Sequence, residues 1–229
     1  MATIDETIYG QLRPPGPSSP RHHPDEVASD SAPAGAATAD QLARSRQLYP
    51  CRRWSPEQKR LRTQLRGQQR AGRSFDQLRH VGAVVLHARR LPHSAQPVDH
   101  LIVTAGATFA VHDLAATRRE PIAWTYDGHL VQAGVDTETL EASLADGVAV
   151  MASVTAEILG PGWRTWVVPI IAVTGAWPHP PTCASTGIVV GTPDALCRWM
   201  IQAFTPTLDA LDIATMANAA SRACPNANA

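Results

Sequence analysis

Between residues 55 and 78 the chain reads SPEQKRLRTQLRGQQRAGRSFDQL, with Leu61, Leu65, Gln68, Gly72, Phe75 and Leu78 at intervals of three and four. That spacing traces one face of a helix. Ser55 is a favourable N-cap, Pro56 suits the first helical position, and Glu57 suits the positive end of the helix dipole. The other faces carry arginine, and Gln68 is the one long polar side chain on the stripe that should face the core. The following run, VGAVVLHARRLP (81–92), is apolar and β-branched and predicts a strand closed by Pro92. DHLIVT (99–104) and ATFAVHD (107–113) predict a hairpin, and YDGHLV (126–131) a turn with a short edge strand. Helical periodicity returns from Asp136 to Leu159 and stops at Gly160-Pro161-Gly162. RTWVVPIIAV (164–173) and GIVVG (187–191) predict buried strands, TPDALCRWMIQAF (192–204) a helix, and TPTLDALDIATMANAASR (205–222) a last helix.

The order helix, three strands, helix, two strands, helix predicts an α/β fold, a central mixed sheet with helices on both faces. It lacks the regular alternation of a doubly wound fold, and no glycine-rich phosphate loop is present. Residues 1–50 contain RPPGPSSPRHHP and SAPAGAATAD, a composition too poor in large apolar side chains to offset chain entropy, and are expected to form a disordered arm. Residues 51–204 are expected to form the domain, and 205–229 a C-terminal helix and tail. His22-His23 in the arm is either a metal-binding pair or a solvated one.

Charge changes this picture, because it is segregated. Residues 41–90 hold thirteen basic side chains against two acids, while 91–229 hold five against twelve. A basic segment of that kind fits a phosphate-bearing partner, and solvated helix faces give the same count. Lys59 is the only lysine. The four cysteines form no C-x-x-C pair, which favours a reduced, cytoplasmic setting. The N-terminal MATIDETIYG lacks the pattern of a signal peptide, and WVVPIIAV (166–173), the most apolar segment on this reading, is too short to cross a bilayer. No membrane partner is expected.

Candidate chemistry centres on the hairpin. With its turn centred at Gly106, Asp99 lies opposite Asp113, Leu101 opposite Val111 and Val103 opposite Phe109, so the two carboxylates share a face. Directly opposed Cβ atoms lie about 5 Å apart, and two like charges there repel unless a divalent cation such as Mg²⁺ sits between them or they splay into solvent. His100 and His112 are opposed on the other face by the same register, as a two-histidine metal site or as cross-strand packing and hydrogen bonding.

RGQQRAGRSFDQL, VLHARRLPHSAQPVDHLIVTAGATFAVHDLAA and WVVPIIAVTGA resemble, from about Gly67 to Trp199, the nuclease-related domain (NERD) family of the restriction-endonuclease-like superfamily. The L-P, V-D-H-L and F-x-V-x-D elements carry the likeness. It implies an αβββαβ core and a PD-(D/E)-x-K type site with Asp99 as the first metal-binding acid and Asp113 as the second. Two positions depart from that pattern: Ala115 stands where the lysine is expected, and Gln68 where a glutamate is expected. Loss of one preorganised cation typically costs about 2.7–4 kcal/mol in such a site, and glutamine brings no charge to hold a metal. Lys59 lies about nine residues before Gln68 along the helix, out of reach. Arg118 and Arg119 are either phosphate clamps standing in for that cation or surface charges.

The expected function is therefore a NERD-like nuclease-fold protein with a degenerate metal-dependent phosphodiesterase site. It would bind nucleic acid through Arg62, Arg66, Arg70 and Arg73 with weak or no cleavage, and Mg²⁺ only weakly. An active Mg²⁺-dependent DNA nuclease, and a module that docks a protein partner through its N-terminal arm, are the alternatives.

Overall fold

The computed structural model describes residues 33–48, 54–92, 94, 97–117, 121–125, 129–132, 135–160, 166–175, 177, 180–184 and 186–227. The expected arm is helical from its thirty-sixth residue: α1 (Ala36–Leu48) packs against α2 (Pro56–Asp76). Composition alone argued against order there; burial of Thr38 and Gly35 beside α2 supplies the missing contacts. His22 and His23 lie outside the described residues.

Helix α2 starts as its sequence predicts. The Ser55 hydroxyl accepts from the Gln58 amide, and the Gln58 side chain accepts from the Ser55 amide, a reciprocal capping box. A 3-10 turn (Gln77–Val81) then delivers the chain to β1 (Val84–Arg89). Strands β2 (Val98–Val103) and β3 (Ala107–Ala116) form the hairpin. Next come β4 (Ile122–Trp124) and β5 (Leu130–Gln132), a separate two-stranded sheet, and α3 (Thr137–Leu159). β6 (Trp166–Gly175), β7 (Thr182–Cys183), β8 (Val189–Gly191), α4 (Pro193–Gln202) and α5 (Ala210–Ala223) complete the described chain.

The main sheet has six strands in the order β1-β2-β3-β6-β8-β7, with β1, β2 and β3 antiparallel, β6 parallel to both β3 and β8, and β7 antiparallel to β8. It is a mixed sheet with helices on both faces. On one face Leu101, Val103, Ala110 and Ile171 meet Leu144 and Met151 of α3 and Met216 of α5. On the other, Val85, Ile102, Phe109 and Ile170 meet Phe75 of α2 and Met200 of α4. α3 has the length and mean hydropathy (1.4) of a membrane-crossing helix, a longer apolar segment than the sequence reading singled out. Here its Leu140, Leu144, Met151 and Val154 are spent on the sheet and α5.

The hairpin register differs from the expected one by a single residue. Its observed pairs are His100 with Val111, Leu101 with Ala110, Ile102 with Phe109 and Val103 with Thr108. The cause is the turn. Thr104 closes it: its amide and hydroxyl both donate to the Ala107 carbonyl, and its Oγ1 accepts from the Gly106 and Ala107 amides. This leaves a two-residue loop, Ala105-Gly106, in place of a turn centred on Gly106. Gly106 has no room for a side chain, since an added Cβ would lie 2.6 Å from Phe204. A slip of one residue exchanges faces, so Asp113 follows Val111 toward α2 and His112 follows Ala110 toward α3. Asp99 and Asp113 are therefore not an opposed pair on one face, and neither are His100 and His112.

Thr104→Val keeps the shape and removes the hydroxyl. Two buried amide contacts and one donated bond are lost, and we expect a cost of about 1–3 kcal/mol, read as a lower Tm in thermal unfolding.

Candidate functional site

At the start of β2 the ladder to β3 ends, and the Asp99 carboxylate takes its place. Its Oδ2 accepts from the Asp113 amide at 2.8 Å and meets His112 Nδ1 at 3.2 Å, while its Oδ1 accepts from Gln68 Nε2 at 2.7 Å. Gln68, the polar residue on the helical stripe, is 4% exposed. One hydrogen bond across the layers satisfies its amide nitrogen. On the neighbouring strand Ala88 sits at φ +50, the only non-glycine residue with positive φ among those described. Backbone of that kind is strained and is held by its surroundings.

The two aspartates feed two separate chains of side chains. On the α3 side, Asp99 meets His112, whose Nε2 lies 3.1 Å from Ser143 Oγ. This is the hydroxyl–imidazole–carboxylate order of nucleophilic hydrolases. Ser143, however, is 1% exposed and is not among the residues lining the cavity beside it.

On the α2 side, Asp113 Oδ2 lies 2.8 Å from His100 Nε2, His100 Nδ1 lies 2.7 Å from His87 Nδ1, and His87 Nε2 lies 3.1 Å from Asp76 Oδ1. Asp76 also accepts from Arg79 Nε at 2.9 Å. Proton counting fixes the charge of this chain. Each carboxylate needs a donor and the contact between the rings needs a third, so two imidazoles share three protons and carry one positive charge. It resides on His100. Burial works against that charge, but the Asp113 carboxylate and its hydrogen bond outweigh burial and raise the His100 pKa. Burial and the neighbouring His100 charge push His87 down to about 4. Burial lifts Asp113 to about 6, against the pull of His100. Asp99 is also opposed by burial, yet the His112 bond and charge, the His100 charge and the Asp113 amide hold it below its ordinary range.

Gln68, Asp99, Asp113 and Ala115 line a cavity of about 480 Å³, whose rim includes Arg60 and Thr38 of α1. One oxygen, Asp113 Oδ1, is buried without a partner, and so is Gln68 Oε1. Among the described residues no group of three or more His, Cys, Asp or Glu side chains is arranged to hold a metal ion. Mg²⁺ demands near-octahedral oxygens, and three of the four carboxylate oxygens here already take protein donors. The residues fit that ion poorly as arranged. Ala115 faces α2, where Gly67 brings the helix down on it: a Cβ at Gly67 would lie 3.3 Å from the Ala115 Cβ and collide with Thr174. The expected lysine position thus lies close under α2 while still bordering the cavity. Lys59 is exposed near the start of α2, about 13 Å along the helix from Gln68.

Arg62, Arg66, Arg70 and Arg73 are exposed on α2, with Arg62 stacked 5.1 Å from the Trp54 ring and Arg46 of α1 4.3 Å from it. Arg118 and Arg119 lie outside the described residues. Sequence reasoning gave His87 no partner and left Asp76 and Ser143 aside; the only signal was a histidine inside an apolar strand. Trp177 is 8% exposed and packs edge-on to Trp124. The chain matches no protein-family model, no curated protein and no solved structure.

Two outcomes follow for the imidazole chain. Ring-nitrogen NMR at neutral pH should show three protonated nitrogens on the His87–His100 pair. Because the unfolded His87 takes its proton near pH 6.5 and the folded one only near 4, the His87 contribution to stability should fall as pH drops through that window, set against an opposite contribution from Asp113, raised to about 6. His87→Asn removes that contribution, so its Tm relative to the parent's should rise as pH falls from 6.5 to 4.

Proposed function

We propose that this is a NERD-like protein of restriction-endonuclease-like fold that binds nucleic acid and cleaves it weakly or not at all. The order α2, β1, β2, β3, α3, β6, with β6 parallel to β3, supports the αβββαβ core that the resemblance implies. The observation that carries the functional reading is the state of the acids. Both Asp99 oxygens and one Asp113 oxygen accept from internal donors, and among the described residues no ammonium stands beside them. Gln68, in the position of an expected glutamate, spends its amide on Asp99 and adds no negative charge. What remains is a row of exposed arginines on α2, beside a cavity whose rim includes Arg60. Such contacts position a phosphate backbone without reading sequence.

A second reading, a Mg²⁺-dependent nuclease, draws on one observation: Asp113 Oδ1 is buried and without a partner. In that reading Asp99 and Asp113 hold the ion and give up their histidine contacts.

Gel-shift titrations at low salt should give binding whose log K falls with log salt at a slope of about −4 for duplex, as for four or five phosphate contacts. Absence of any shift at low salt would contradict the reading. Plasmid incubated with Mg²⁺ or Mn²⁺ should remain uncut; cutting that Asp99→Ala abolishes would establish the second reading instead.

A further inference from the structure

We infer that Arg66 and Arg70 form a discrete phosphate site with Thr63 and Thr174, at the carboxyl ends of the parallel strands β3 and β6. The inference rests on the nucleic-acid reading for its biological ligand, and on independent geometry for the site itself.

A hollow of about 190 Å³ opens between α2 and the ends of these strands, lined by Thr63, Arg66, Arg70, Ala115, Thr174 and Gly175 among others. Water occupies about 30 Å³ in the liquid, so a tetrahedral oxyanion fits. Arg66 and Arg70 are one helical turn apart, on the same face of α2, and both are exposed. No ion pair among the described residues engages either. Guanidinium presents paired N–H donors suited to phosphate oxygens, and two of them converging on one hollow supply charge and geometry together. The Thr63 and Thr174 hydroxyls border the same space, though each now donates to a backbone carbonyl, Lys59 O at 3.0 Å and Leu114 O at 3.4 Å. To hold a phosphate oxygen either hydroxyl rotates and donates to it, giving up its carbonyl.

The position is informative. Ligands in open α/β sheets gather beyond the carboxyl ends of parallel strands, and β3 and β6 are parallel over their whole length and end here at Ala116 and Gly175. Ala115, the position where the resemblance calls for a lysine, lines this hollow as well as the aspartate cavity. The cationic role that a lysine at 115 would fill is thus met from the helix above, by side chains that hold a phosphate and remain protonated. That division suits retention of a strand better than its hydrolysis.

The test uses the full-length protein with two probes, inorganic phosphate followed by arginine side-chain NMR, and a 16-nucleotide oligonucleotide followed by anisotropy. Phosphate should shift Arg66 and Arg70 together and saturably, and Thr174→Val should weaken that response. Arg66→Ala and Arg70→Ala should each weaken oligonucleotide binding about tenfold, against under about threefold for Arg73→Ala, with Arg66→Lys intermediate. Equal losses at 66, 70 and 73, with phosphate shifting all arginines alike, would overturn the site while leaving the nucleic-acid reading in place. Phosphate bound at Arg66 and Arg70 by a protein that binds no oligonucleotide would keep the site and remove that reading.

Discussion

The hydrogen bond from the Asp113 amide to the Asp99 carboxylate is the contact on which the arrangement turns. It exists because the hairpin closes over two residues, which puts the Asp99 side chain at the end of the ladder and Asp113 on the α2 side of the sheet. Once that register is set, each acid has its own histidine. Asp99 takes His112 toward α3, and Asp113 takes His100 toward α2. Two carboxylates that would have faced each other across the hairpin instead take different partners on opposite faces of the sheet. The buried imidazolium on His100 is tolerable for the same reason, since a buried charge survives only when paired and hydrogen-bonded.

Much of the frame was legible in the sequence. Helix α2 was readable from its Ser-Pro-Glu start and its three-and-four spacing, α3 from its periodicity and Gly-Pro-Gly stop, and the hairpin strands from β-branched alternation. Those signals are local, and each is a few residues long. The register was not legible, because it depends on whether Thr104 caps the turn with its hydroxyl, a choice that Ala105-Gly106-Ala107 leaves open. The one-residue error then propagated to every face assignment in the hairpin. Helix α1 was missed because an Ala-rich composition with few large apolar side chains says little about a segment stabilised by its neighbour.

Within the site, Gln68 was identifiable as a polar residue on an apolar stripe, and the absent lysine as a matter of counting. The chain from Asp113 through His100 and His87 to Asp76 was out of reach, as it joins β3, β2, β1 and the end of α2, contacts that only the sheet order brings together. The same holds for Ala115: its identity is plain in the chain, while the closeness of α2 at Gly67 and of Thr174 on β6 is not.

The most direct test of the central claim, that the acids are committed to internal donors and not to a metal, is paramagnetic broadening of the histidine ring signals by Mn²⁺. The account predicts that His100 and His112 resonances stay sharp at millimolar Mn²⁺. Selective broadening of both at micromolar Mn²⁺ would contradict it.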